Sequence, residues 1–254
     1  MMRNLNDEHR DNIHRKYAYD FDYQMHGFML RTFGNSLTRG RALELGCFEG
    51  EFTKRLAGIY GDLTVVEGAS ELVAEARKRV GGNVKFVHSR FEDFEPAGLF
   101  DAIFLIHTLE HIEQPVDLLR RIGTWLAKGG RLFLAVPNAY AASRQIAVAM
   151  GLIAYPGAVT EGEALHGHQR TYSLDTLKHD VRAAGLTVTD FGGIFFKPLA
   201  NFQIDQSFQM GIIKDDYLEG CYELGKKYPD LCASIYAICQ AGSLHNEAAH
   251  EQAG

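Results

Sequence analysis

Apolar residues follow two alternating patterns through the middle of the chain. Short runs fit for strands buried on both faces occupy 41–45, 63–67, 84–88, 101–106 and 131–136. Between them the spacing turns helical over 51–60, 70–80 and 115–128, with Pro115 suited to a first helical turn and Gly81-Gly82 and Gly129-Gly130 as breaks. Strand, helix and strand in this order predict a parallel sheet joined by right-handed crossovers. Ahead of it, Tyr17, Phe21, Met25, Phe28, Met29 and Phe33 recur at helical spacing and predict an amphipathic helix at the core edge. Past Pro137-Asn138 a helix is expected to about Met150, and then 151–170 loses periodicity. Ser173 can cap a helix ending near Gly185, and 186–190 alternates as a strand. A second insertion, 197–229, carries Tyr217, Cys221, Tyr222 and Leu224 at helical spacing, and 231–239 can form a last strand. The polar ends, 1–14 and 242–254, are expected to be mobile or disordered.

The first strand runs Arg41-Ala-Leu-Glu-Leu and breaks at once into Gly46-Cys-Phe-Glu-Gly50. Two glycines there allow a tight turn and close backbone approach, and the helix that follows completes a nucleotide-binding order. The middle glycine of the dinucleotide fingerprint is absent. Glu44, just before the turn, would repel a pyrophosphate but attract a ligand with an ammonium and a sulfonium. Glu67 ends the next apolar run, about 20 residues on, the separation at which a carboxylate can accept both ribose hydroxyls. S-adenosylmethionine meets both requirements.

The stretches ALELGCFEG, LTVVEGAS, NVKFVHSRFEDF, FDAIFLIHTLEHIEQP and LAKGGRLFLAVPN resemble the class I S-adenosylmethionine-dependent methyltransferases, in particular the subgroup acting on small molecules, quinone precursors and saccharides. The resemblance covers about 40–140, with a looser match to about 240. It implies an α/β Rossmann-like, mostly parallel seven-stranded sheet with helices on both faces and an antiparallel last strand. The implied layout is an N-terminal helical lid over 1–36, a methyltransferase domain over 37–241 with substrate-covering insertions at 151–172 and 197–229, and a tail over 242–254. Glu44, Gly46 and Cys47 would then meet the methionine portion, Glu67 and Gly68 the ribose, and Phe91 with Glu92 the adenine. Arg90 stands where many relatives carry an acidic residue. His107 would face both cofactor and substrate from the end of the fourth strand.

Composition narrows the acceptor. A net charge of -6 offers no general basic footprint, so a nucleic-acid partner is not expected. The four cysteines lack C-x-x-C spacing, which fits a reducing cytoplasm, and no run reaches the length of a membrane helix. His107-Thr-Leu-Glu110-His111 spells an inverted zinc-protease motif, but His107 follows a strand and no third ligand stands at a familiar spacing, so no metal is expected there, while His166, His168 and Arg170 could bind a metal, bind an anionic substrate or be solvated loop residues. His107, His111 and His166 are the candidate proton acceptors, although His111 could equally tie down its turn. Tyr17, Gln24, His26, Asn138, Tyr140, His166, His168, Arg170 and Tyr172 are the candidate substrate contacts, drawn from the N-terminal helix and the long connection. The reading is transfer of a methyl group to a hydroxyl, less favourably an amine, of a small polar molecule such as a sugar or natural-product intermediate, by a monomer or homodimer. Its rivals are a nucleic-acid methyltransferase, a nicotinamide-dependent dehydrogenase and a non-catalytic regulator.

Overall fold

The chain forms strands β1 (Arg41–Leu45), β2 (Asp62–Glu67), β3 (Lys85–His88), β4 (Phe100–Ile106), β5 (Leu126–Pro137), β6 (Leu186–Phe196) and β7 (Cys232–Ala241). Around them lie α1 (Asp20–Phe33), α2 (Glu51–Ala57), α3 (Ser70–Val80), α4 (Pro115–Trp125), α5 (Ala142–Ala149), α6 (Glu161–Leu165), α7 (Leu174–Ala183), α8 (Asn201–Gln209) and α9 (Asp215–Gly225). This structure is a computed structural model describing residues 5–7, 10 and 18–242. The expectations for Tyr17 and for most of both polar ends lie outside the described residues.

The strands make one sheet in the order β3-β2-β1-β4-β5-β7-β6. All neighbours are parallel except β7, which runs antiparallel to both β5 and β6. The expected Rossmann-like sheet with an antiparallel last strand is therefore present. Its strand order reverses between β1 and β4, where an open α/β sheet leaves a crevice beyond its carboxyl ends.

Alternation along each strand divides the core. Ala42, Leu63, Val65, Phe104 and Phe133 face α1, α2 and α9, while Leu43, Leu45, Val66, Ile103 and Leu134 face α4 and α7. On the first face Phe21, Met25, Met29 and Phe33 of α1 are all buried, with Phe33 against Phe133 at 5.3 Å between ring centroids. The start of α1 is held by Asp205 of α8, whose two carboxylate oxygens accept from the backbone N–H groups of Asp20 and Phe21 at 3.0 and 2.9 Å. Its carboxylate satisfies two of the four donors a helix N-terminus leaves unpaired.

Several boundaries move from those read in the sequence, each for a local reason. Helix α5 begins at Ala142 because the Asn138 side chain accepts from the Tyr140 N–H at 2.9 Å and holds 138–141 in a turn. Strand β6 continues beyond 190 to Phe196 because its whole length pairs with β7, as far as Phe196 opposite Cys232. Among the described residues no helix is long and apolar enough to cross a membrane.

Candidate functional site

A cavity of about 1130 Å³ opens at the carboxyl ends of β1, β2 and β4. Ligand sites commonly run to about 300–1,000 Å³, so this one has room for a nucleotide-sized cofactor and a second molecule. Gly46 and Thr108 bring the loops after β1 and β4 together: a Cβ on Gly46, whose φ is +80°, would lie 2.7 Å from the Thr108 hydroxyl oxygen. A side chain at Gly46 would be strained and would fill the crevice floor.

Glu67 ties the first two loops together. Its Oε2 accepts from the Cys47 N–H at 3.1 Å and its Oε1 from the Ala69 N–H at 2.9 Å. Burial raises its pKa, and these backbone donors offset only part of the rise. Glu44 is different. It is 2% exposed, its Oε2 has no hydrogen-bond partner, and burial, joined by the nearby charge of Glu67, pushes its carboxyl up to about 8. A buried carboxylate oxygen without a donor is costly unless a cation meets it, so the residues fit a ligand carrying an ammonium and a sulfonium. Gly68, Phe91, Glu92 and Arg90 continue the wall, placing the residues expected around ribose and adenine in the same cavity. Burial pushes the Cys47 thiol up as well, which keeps it an apolar wall rather than a thiolate.

A pH-dependent affinity follows from Glu44. Its carboxyl is largely protonated at neutral pH in the ligand-free protein and must ionise to meet an ammonium. Binding of S-adenosylmethionine should therefore release close to one proton at pH 7, and affinity should rise with pH towards about 8 and fall again once the ligand's own ammonium loses its proton. The stability sign is the reverse. A carboxyl whose pKa is raised on folding contributes stability at low pH that is lost as pH rises through about 8, so Glu44→Gln should stabilise the ligand-free protein at pH 9 while weakening cofactor binding. Calorimetric titrations in buffers of different ionisation enthalpy measure the proton directly. A pH-independent affinity without proton release removes Glu44 from the ammonium site.

His107 follows β4 with a φ of 45°, an uncommon conformation for a residue with a side chain and one that clusters at functional sites. Its N–H donates to the Ala135 carbonyl at 2.8 Å, and its Nε2 lies 2.9 Å from the Ser234 hydroxyl of β7. Burial lowers its pKa to about 3, with the charges of His26, His168 and Lys197 adding to the effect, so the imidazole is neutral at ordinary pH. His26 stands edge-on to Phe52 at 5.2 Å, and burial lowers it to about 4.

Three residues the sequence reading missed share this end of the cavity. Lys197 donates from Nζ to the side-chain Oδ1 of Asn201, whose Nδ2 donates to Asp22 Oδ1 at 2.7 Å. Burial lowers Lys197 and raises Asp22. The signal was a lone lysine closing the apolar run Gly-Ile-Phe-Phe-Lys197, where a solvated lysine is out of place.

The long connection after α5 is pinned as a roof. Arg144 of α5 bonds Glu163 through both guanidinium ends at 2.5 and 3.2 Å, and also reaches the carbonyls of Pro156 and Ala158. Thr160 and Glu163 form a capping box at the start of α6. Beyond it the Gln169 N–H donates to the Glu110 carbonyl at 2.8 Å, tying the roof to the turn after β4. His166 and His168 thereby line the cavity, as do His107 and His111.

Other expected contacts lie elsewhere. Asn138 is spent on the carbonyls of Asp230 and Cys232 at 2.8 and 2.9 Å. Tyr172 is buried with its hydroxyl on Asp180 at 3.1 Å, and Arg170 donates to the Glu113 carbonyl at 3.0 Å. Tyr140 is 47% exposed, and neither it nor Gln24 lines the cavity. None of these five lines this cavity: Asn138 and Arg170 are taken by backbone carbonyls remote in sequence, Tyr172 by the Asp180 carboxylate, and Tyr140 and Gln24 stand outside the lining.

The H-x-x-E-H motif does not close on itself, because His107 turns to Ser234. Glu110 and His111 are joined instead by His168 from the roof, the three donor atoms lying within 4.8 Å of one another. His168 is a long-range neighbour that spacing along the chain did not reveal.

A family model described as a methyltransferase domain matches residues 15–190. The ubiquinone biosynthesis O-methyltransferase of Xanthomonas axonopodis pv. citri is 30% identical over 166 residues, which cover 63% of this chain and 68% of that protein. Among solved structures, the N-methyltransferase NodS of Bradyrhizobium japonicum in complex with S-adenosyl-L-homocysteine aligns with a TM-score of 0.57 at 17% identity, covering 89% of each chain. A possible histamine N-methyltransferase of Thermotoga maritima aligns at 0.60 with 16% identity, covering 91% of this chain and 97% of that one. At these identities the solved structures speak for the fold.

Proposed function

Given that the chain belongs to the class I S-adenosylmethionine-dependent methyltransferases, we propose that it transfers the methyl group to a hydroxyl oxygen of a small molecule. The observation that carries the choice of oxygen is the placement of His107, held at a φ of 45° at the end of β4, in the same cavity as Glu44 and Glu67. A neutral amine acceptor needs alignment only, whereas a hydroxyl must lose a proton, which an unprotonated imidazole beside it can take as the methyl is transferred. The relative named as an O-methyltransferase supports the same choice.

The cofactor supplies a methyl group already activated on a sulfonium. Glu44 and Glu67 hold the cationic and ribose portions and so fix where that methyl points. Acceptor binding falls to the far end of the cavity, where Phe21, Met25 and Phe52 offer apolar and ring contacts beside Lys197, Asn201 and His26. Such a mixture suits a hydroxylated ring better than an open polyol, which narrows the acceptor to a natural-product or quinone-type intermediate ahead of a sugar. The roof over 155–170 excludes water from the transfer. As the methyl moves, the positive charge leaves sulfur and reappears on the imidazole that accepts the proton, so the charge facing the two carboxylates is conserved.

Incubation of the full chain with labelled S-adenosylmethionine and a panel of hydroxylated rings, sugars and matched amines, read by mass spectrometry, tests the proposal. Labelled methyl ethers of ring hydroxyls are the expected products. Methylated amines alone would overturn the choice of oxygen.

A further inference from the structure

Glu110 is the third buried carboxylate of the cavity, after Glu44 and Glu67, and cofactor binding as described above gives it nothing to do. It sits in the 3-10 turn after β4, 2% exposed, and its Oε2 has no hydrogen-bond partner. An ionisable oxygen buried in that state calls for a donor or a cation. Two imidazoles stand beside it. His111 follows in the same turn, and His168 descends from the roof so that the two rings lie edge to face, 4.6 Å between centroids. One donor atom from each of the three falls within 4.8 Å of the others, and all three residues line the cavity that also holds His107.

We infer that Glu110, His111 and His168 form a binding site for a divalent transition-metal ion. Two imidazoles and one carboxylate suit manganese, iron or zinc better than magnesium or calcium, which favour oxygen ligands throughout. Ligand distances of about 2.0–2.2 Å require the three donors to draw together by small side-chain rotations. Three protein ligands leave further positions open, as catalytic rather than structural sites do. Because the ligands come from the turn after β4 and from the roof, the ion would also fasten the roof to the sheet.

The consequence rests on the hydroxyl-transfer reading. A hydroxyl presented to the ion loses its proton more readily, as metal-held water does. The O–H bond breaks and the proton passes to the His107 imidazole. The oxygen's electron pair then forms the bond to the methyl carbon, and the carbon–sulfur pair returns to sulfur, leaving a neutral thioether. The ion changes neither charge nor oxidation state, so no oxidant or reductant is consumed.

The test begins with full-length protein stripped by chelator and titrated with manganese(II), free manganese being followed by electron paramagnetic resonance. One ion per chain is expected, bound at micromolar concentration or tighter. His168→Ala and Glu110→Gln should each weaken that binding at least tenfold. Glu110 is buried and its variant could misfold, whereas His168 lies on the roof, so the His168 variant keeps the test decisive. Calorimetric binding of S-adenosylmethionine serves as the folding control and should be unchanged in both. Absence of stoichiometric binding, or binding indifferent to both substitutions, overturns the site. Methyl transfer to hydroxyls at full rate in stripped protein would overturn the ion's part while leaving the hydroxyl-transfer reading intact. Site-specific manganese binding without any ether product would defeat that reading and leave the site standing.

Discussion

Replacing Glu67 by alanine is expected to weaken S-adenosylmethionine binding by about 10²-fold, with the fold intact. Each oxygen of its carboxylate already accepts one backbone N–H, from Cys47 and Ala69, and each has a further lone pair for the cofactor's ribose hydroxyls. Hydrogen bonds to a charged group contribute roughly 1.5–3 kcal/mol, and about 1.4 kcal/mol is a tenfold change in affinity. Alanine removes the ribose contacts and also frees the Cys47 and Ala69 donors, so the loops after β1 and β2 lose their common anchor. Glutamine should lose less, because one oxygen survives, but its amide must face one of two backbone donors and cannot restore both bonds. Calorimetry gives the dissociation constants, and urea unfolding separates loop disorder from global destabilisation. A folded alanine variant with wild-type affinity would remove Glu67 from the ribose site.

Glu67 could be found in the sequence because its position is set by neighbours in the chain. A carboxylate at the end of an apolar run is delivered to the sheet's carboxyl edge by the strand itself, and the same holds for Glu44, Gly46 and His107. Nothing comparable fixes a loop side chain. Asn138 looked like a substrate contact, yet its amide is taken by carbonyls of Asp230 and Cys232, far along the chain. Arg144, read only as part of a helix, organises the roof because Glu163 and two loop carbonyls converge on it. The same rule accounts for the meeting of His168 with Glu110: the Gln169 N–H bond to the Glu110 carbonyl is a tertiary contact that no spacing announces. Local periodicity makes the sheet and the cofactor end legible. The acceptor end depends on which insertion folds over which strand.

His107→Ala is expected to lower turnover by roughly 10²-fold or more, the usual contribution of general-base catalysis, while cofactor affinity stays close to wild type. The two effects separate because His107 follows β4, whereas the groups proposed to hold the ammonium and ribose lie at the ends of β1 and β2. His107→Gln divides positioning from proton removal, since an amide can still reach the Ser234 hydroxyl, which lies 2.9 Å from Nε2, but cannot accept the acceptor's proton to a useful extent. If the amide restores most of the turnover across the pH range, His107 only positions and is not the base. The pH profile gives an independent reading. Burial holds the imidazole near 3, so with cofactor and manganese(II) both kept saturating, turnover should remain level from pH 7 to about 5 instead of falling through the usual histidine range near 6.5. Saturation matters, because it removes the Glu44 ionisation that governs cofactor binding at higher pH. An acid limb centred on 6.5 in the wild type, absent from a His166→Ala variant, would transfer the base role to His166, which lines the cavity from the roof.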